Sequence, residues 1–282
     1  MNQNRQTMAG KMRRIALVTA ILAAVAATNT KSAGAITNGR PDGDGHPYVA
    51  ALVDDYVTPG YFQRFCTGSL VAPRLVVTAA HCLLGFVDSE IWVNFDPVYR
   101  PGVSSTIHGT GIAAVDPAKF HGNAGAGAQY GNSDLGDDIA VVHLDETPPI
   151  DHFARLPTAG LLSSLNLKDR TFTSVGFGRT RVDKTRGQNN IQPNVDPDVR
   201  NVANPAFRSL QSGAITMSGN PATGDGGFCF GDSGGPLFLD NSDLMVAITN
   251  YGDYACRSND RLYRLDIDFA RQFLASQGVA LP

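Results

Sequence analysis

The chain is 282 residues long, 43% hydrophobic and 17% charged, with a formal net charge of −3. That is an ordinary globular composition and ample for a sizeable buried core. The charge is uneven. The first 35 residues hold Arg5, Lys11, Arg13, Arg14 and Lys31 and no acid; taking these five from 23 leaves 18 basic against 26 acidic residues from Ile36 on, or −8. An acidic body speaks against nucleic acid and anionic membrane as partners.

In chain order, the first signal is one of export. Lys11-Met12-Arg13-Arg14 is a basic stretch, and Ile15 to Ala27 is an apolar run of signal-peptide length, short for a bilayer span. Residues 1–35 are therefore expected to be a secretory signal, with or without a short propeptide, and no membrane anchor is expected after processing. Ala33-Gly34-Ala35 is a small-x-small cleavage site directly before Ile36; the alternative is cleavage near Ala26 or Ala27, followed by a second cut.

Short β-rich runs follow between glycine and proline punctuation: 48–53, 68–72, 75–78, 91–95, 111–115 and 139–144, then 171–175, 214–218, 236–239, 244–250 and 261–265. Many short strands with few helical patterns predict an all-β barrel or sandwich. One helix is expected, near Ile267–Gln277, with Ile267, Ala270 and Leu274 on one face and Asp266 as N-cap. Two long polar loops, His121–Gly136 and Asp183–Asn204, read as exposed connections. Asp42-Gly43-Asp44-Gly45 reads as a turn rather than a calcium loop, since oxygen ligands at regular spacing are missing. Trp92 reads as core, Asp137 as solvated, and the scattered His46, His108, His121, His143 and His152 as surface or loop residues.

Chemistry concentrates in three stretches: Thr78-Ala79-Ala80-His81-Cys82, Asp138-Ile139-Ala140 and Gly231-Asp232-Ser233-Gly234-Gly235-Pro236. A serine hydroxyl is a poor nucleophile at neutral pH and needs an adjacent base. An imidazole suits that task, and a carboxylate fixes its tautomer and stabilises the imidazolium. The order His, Asp, Ser separates this plan from two unrelated folds that use the same trio in other orders. Cys66, Cys82, Cys229 and Cys256 make an even count in an exported chain, which indicates disulfides with three possible pairings. No C-x-x-C or paired-His spacing suggests zinc, and no metal or cofactor is expected.

From Ile36 onward the chain resembles the secreted trypsin/chymotrypsin-fold serine peptidases. The resemblance implies two six-stranded antiparallel β-barrels, with the active site in the cleft between them and a helix at the C-terminus. The connector from Thr147-Pro148-Pro149 to Pro157 would divide a first barrel, 36–150, from a second, 151–282. It makes His81 the base, Asp138 its orienting carboxylate, Ser233 the nucleophile, and the amides of Gly231 and Ser233 the oxyanion hole. It selects the pairs Cys66–Cys82 and Cys229–Cys256. It also implies that a new amine on Ile36 folds inward to pair with Asp232. The implied partner is a peptide or protein substrate, cut by a secreted, monomeric endopeptidase; a catalytically silent relative acting as a binding module is the alternative.

The pocket departs from the family pattern. Gly227, six before the nucleophile, replaces the aspartate of a tryptic pocket base. Asn250-Tyr251-Gly252 stands where Ser-Trp-Gly is usual, leaving the serine contact to the catalytic Asp open. Phe228, Tyr251 and Gly252 are expected to line the pocket. Anchoring the last strand on Tyr263 places Arg261 on its wall, which predicts cleavage after an acidic residue; an apolar preference is the alternative.

Overall fold

The computed structural model describes residues 36–55, 62–83, 90–114, 137–179, 182–183, 192–193 and 198–282. The expected signal, 1–35, and most of the two long loops lie outside the described residues. After a two-residue strand β1 (Arg40–Pro41), six strands close into an antiparallel barrel: β2 (Val49–Asp54), β3 (Gln63–Ala72), β4 (Leu75–Thr78), β5 (Glu90–Asn94), β6 (Ile107–Ala114) and β7 (Ile139–Leu144), in the order β2-β3-β4-β7-β6-β5. Val, Ile and Leu dominate β4 and β7, as suits a pleated, buried surface. These two strands pair from Leu75↔His143 to Thr78↔Ala140. That register brings the exit of β4 beside the entry of β7, and so sets His81 near Asp138.

The second half is one antiparallel sheet. Its strands are β8 (Phe172–Gly176), β11 (Asn201–Ala203), β12 (Ala206–Leu210), β13 (Ala214–Ser218), β14 (Pro236–Leu239), β15 (Met245–Gly252) and β16 (Asn259–Arg264), with β1 at one edge; β9 (Val182–Asp183) and β10 (Gln192–Pro193) pair with each other. The sheet runs β1-β11-β8-β14-β15-β16-β13-β12, which is eight strands rather than six. β11 and β1 make the difference: they add beyond β8, so the segment just after Ile36 is stitched onto the second half.

A short helix α1 (Leu161–Ser164) and the terminal helix α2 (Asp268–Ser276) complete the elements. Ala270 and Leu274 of α2 join the apolar cluster that fills the barrel. The residue before the helix is Ile267, not Asp266. Asp266 is almost wholly buried and is spent elsewhere: Arg264 donates to both of its oxygens at 2.8 Å, and Leu162 N–H adds a third bond at 2.8 Å. A buried carboxylate needs such a counter-charge more than a helix needs a cap.

The same rule governs Arg200, inside the stretch expected to be an exposed loop. It is 1% exposed. Its Nε donates to Asp42 at 2.9 Å, and its other nitrogens to the carbonyls of Val49, Phe95 and Gly43. Asp42 also accepts from the backbone and ring of His46. The carboxylate of the 42–45 turn is therefore committed to an internal ion pair.

Candidate active site

His81 sits in a single 3₁₀ turn, Ala80–Cys82, directly after β4, and Asp138 immediately precedes β7. The Asp138 carboxylate grips the histidine twice: Oδ2 lies 2.9 Å from Nδ1, and Oδ1 accepts the His81 backbone N–H at 2.9 Å. Fixing ring and backbone together sets the imidazole orientation and leaves Nε2 for a reacting group. Burial opposes protonation of His81, but the charge and hydrogen bond of Asp138 outweigh it and hold its pKa above the ordinary 6.5.

Asp137, read as solvated, has a structural partner. The Tyr263 hydroxyl donates to its Oδ1 at 3.1 Å from the second sheet. Asn250, in place of the usual serine, is nine-tenths buried, and among the described residues its Oδ1 has no hydrogen-bond partner. Among the described residues, His81 supplies both hydrogen bonds to Asp138.

Ser233 lies in the turn between Cys229 and β14. The turn is pinned at several atoms: Thr67 Oγ1 donates to the Gly231 carbonyl at 2.9 Å, Thr67 N–H to the Ser233 carbonyl at 2.8 Å, and Asp232 N–H to the Cys229 carbonyl at 3.0 Å. Gly231 has φ +96°, a region that L side chains rarely adopt. The Phe230 carbonyl accepts Arg179 N–H at 2.7 Å, and the Asp232 carbonyl accepts Gly235 N–H at 2.8 Å. Peptide units are planar and trans here, so the N–H groups of Gly231 and Ser233 point away from those bonded carbonyls. Among the described residues neither N–H is spent, which is what an oxyanion site requires.

Asp232 is completely buried and accepts from Gly178 N–H at 2.6 Å and Cys229 N–H at 2.9 Å. Burial pushes its pKa up to about 7, against those two donors and the charge of Arg64. Ile36 is also completely buried. The residue after it bridges to Gly227 through Thr37 N–H to the Gly227 carbonyl at 2.9 Å and Gly227 N–H to the Thr37 carbonyl at 3.1 Å. Both disulfides are present, Cys66–Cys82 beside His81 and Cys229–Cys256 beside the nucleophile turn. The two cysteines nearest His81 are thus oxidised, so that cluster has no thiolate to offer a metal.

A cleft opens beside Ser233; its lining includes Phe228, Tyr251, Gly252, Asn250 and Asp260. Arg261 is not among the lining residues, and its guanidinium lies 5.9 Å from the centre of the Tyr251 ring. Asp260, which sequence reasoning passed over, takes the place expected of it. The β15–β16 register pairs Gly252 with Asp260, and a Cβ on Gly227 would lie 2.3 Å from Asp260 Oδ2. The floor below Gly227 thus holds a carboxyl group in place of a guanidinium.

Comparison with known proteins shows the family. The family profile described as Trypsin matches residues 36–273. A protein named chymotrypsin from Phaedon cochleariae is 29% identical over 227 residues, 77% of this chain and 72% of that protein. A trypsin from Saccharopolyspora erythraea is 30% identical over 217 residues, covering 75% and 84%. A solved structure titled as HL collagenase superposes with a TM-score of 0.61 at 18% identity, over 87% of this chain and all of that one, which speaks to the fold alone.

Proposed function

Because the chain belongs to the trypsin family, we propose that it is a secreted serine endopeptidase working through an acyl-enzyme, with His81, Asp138 and Ser233 as its catalytic trio. The observation that carries this reading is the double grip of Asp138 on His81, which leaves Nε2 to serve the hydroxyl of Ser233. Ser233 Oγ bonds to the substrate carbonyl carbon as its proton passes to Nε2. The N–H groups of Gly231 and Ser233 hold the developing oxyanion. The C–N bond then breaks, and His81 returns the proton to the leaving amine. Water repeats the sequence to release the acid and regenerate Ser233.

The substrate is a peptide or protein laid as an added strand along Asn250-Tyr251-Gly252, with one side chain in the cleft that Phe228 and Gly227 help to form. The signal at residues 1–35 and two disulfides fit an oxidising, extracellular setting. Cleavage before Ile36 would give the amine that pairs with Asp232, a buried acid whose raised pKa marks a missing counter-charge.

A fluorophosphonate probe tests the reading. It labels Ser233 in the processed chain and fails on Ser233→Ala and His81→Ala. Each of these substitutions, and Asp138→Asn, lowers peptide turnover by roughly 10⁴, without additivity because the three act as a unit. Wild-type turnover in Ser233→Ala would remove the assignment, and a processed chain that never labels would identify a silent binding module.

A further inference from the structure

We propose that Asp260 makes the pocket change its preferred side chain with pH: ionised it accepts Lys or Arg at the cut bond, and protonated it accepts uncharged side chains. The proposal rests on the peptidase reading above and concerns the pocket of that same site.

Three glycines make the space that the Asp260 carboxyl occupies. Its Oδ2 lies 2.3 Å from the Cβ that Gly227 lacks and 3.1 Å from that of Gly219, while Oδ1 lies 2.4 Å from that of Gly252. The residue is 2% exposed and lines the cleft beside Ser233. Among the described residues, Phe228 N–H, at 2.9 Å, is its one hydrogen-bond donor. One neutral donor does not offset the burial of a full charge.

The charged neighbours make ionisation harder. Asp253, just beyond β15, accepts from the amides of Arg257 and Ser258. Asp232, in the nucleophile turn, is held by the amides of Gly178 and Cys229. Asp225, on the segment leading to Gly227, is bonded to the hydroxyls of Ser218 and Thr223. β13, opposite Asp260 through Met217, brings no titratable side chain. Arg261, next on β16, lies over Tyr251. Burial first, then the charges of Asp253 and Asp232, push the Asp260 carboxyl up to about 8.

At neutral pH the empty pocket therefore has a neutral acid at its floor. A cationic side chain entering it supplies the missing counter-charge and expels the proton. Below the carboxyl pKa, each pH unit then costs such a substrate up to about tenfold in apparent affinity. An uncharged side chain meets the opposite case: it fits the protonated floor and is disfavoured once the floor ionises, because that charge would be sealed in unpaired.

The test compares kcat/KM for two peptides that differ only in Arg or Leu at the cut position, from pH 6 to 9. Dividing one value by the other cancels His81, which titrates in both. The Arg:Leu ratio is expected to climb by up to about tenfold per pH unit across the range, below about pH 8 because the Arg value rises and above it because the Leu value falls. A ratio independent of pH, with both peptides cut, overturns the proposal and leaves the peptidase reading intact. Asp260→Asn keeps an acceptor for Phe228 N–H and should give a pH-independent ratio; a ratio that still climbs in it overturns the assignment. If Asp260→Asn does not fold, the wild-type ratio decides alone. If neither peptide is cut, binding of an arylamidinium ion to Ser233→Ala decides: affinity climbing with pH supports the pocket, and affinity independent of pH, or no binding, overturns it.

Discussion

The hydroxyl of Tyr263 donates to the carboxylate of Asp137 at 3.1 Å and so ties the second sheet to the residue beside Asp138. The trio spans two halves of the molecule, and this bond fixes the segment that delivers one member. Burial and the neighbouring Asp137 and Asp138 keep the phenol protonated far beyond neutrality, so it is a donor throughout the working range. Tyr263→Phe removes about 0.5–1.5 kcal/mol of hydrogen bonding. If that loosens Asp138, kcat falls about two- to tenfold with KM little changed. An unaltered kcat would show that the bond serves only folding.

On the proposed mechanism, His81 sets the acid side of the pH profile. Protonated His81 cannot take the Ser233 proton. Asp138 keeps His81 protonated to a higher pH than a free imidazole, despite burial. Activity should therefore be lost as pH falls through a midpoint above 6.5, and Asp138→Asn should move that midpoint down. Kinetics of wild type and variant on an uncharged substrate read both values.

Stability carries its own signature of Asp260. Its pKa rises from 3.8 unfolded to about 8 folded. Between those values the folded chain keeps a proton that the unfolded chain has released, so folding takes up a proton and stability falls as pH rises. The favourable contribution is complete below pH 3.8 and gone above about 8. Asp260→Asn should flatten this decline, so that its Tm relative to wild type increases from pH 5 to pH 8. Parallel melts across that range check it; a constant difference would mean that the carboxyl is already ionised when folded.

Arg200 predicts a loss of stability far from the chemistry. Arg200→Ala leaves Asp42 buried without its main counter-charge, which costs about 3–5 kcal/mol. Urea unfolding of Arg200→Ala, Asp42→Ala and the double variant would give strong coupling between the two sites. Additive losses would deny the pair.

Much of the fold was legible because its signals are local. The strands 75–78, 139–144, 214–218 and 236–239 match expectation residue for residue, since β-branched or apolar runs bounded by turn residues decide them. β12 (Ala206–Leu210) was not anticipated, because an edge strand with mostly exposed side chains looks like loop. Arg200 was unreadable for a different reason: its partner, Asp42, is 158 residues away. The pocket was misplaced by one residue. Counting back from Tyr263 puts Arg261 on the pocket wall, yet its guanidinium lies over the Tyr251 ring. The ladder between β15 and β16 also contains a bulge between Thr249 and Tyr251, which no count along one strand can reveal. With that register, Asp260 rather than Arg261 meets Gly252.

The bridge between Thr37 and Gly227 joins two events that are usually treated apart. The bonds that seat residues just after Ile36 are made to the backbone of Gly227, whose missing Cβ leaves room for the Asp260 carboxyl. Whatever fills the pocket rigidly therefore also steadies residues 36–39, and loosening of that segment deforms the floor. By reciprocity, a ligand held at Asp260 would favour the seated form of residues 36–39 by the same equilibrium factor that seating them adds to the ligand's affinity.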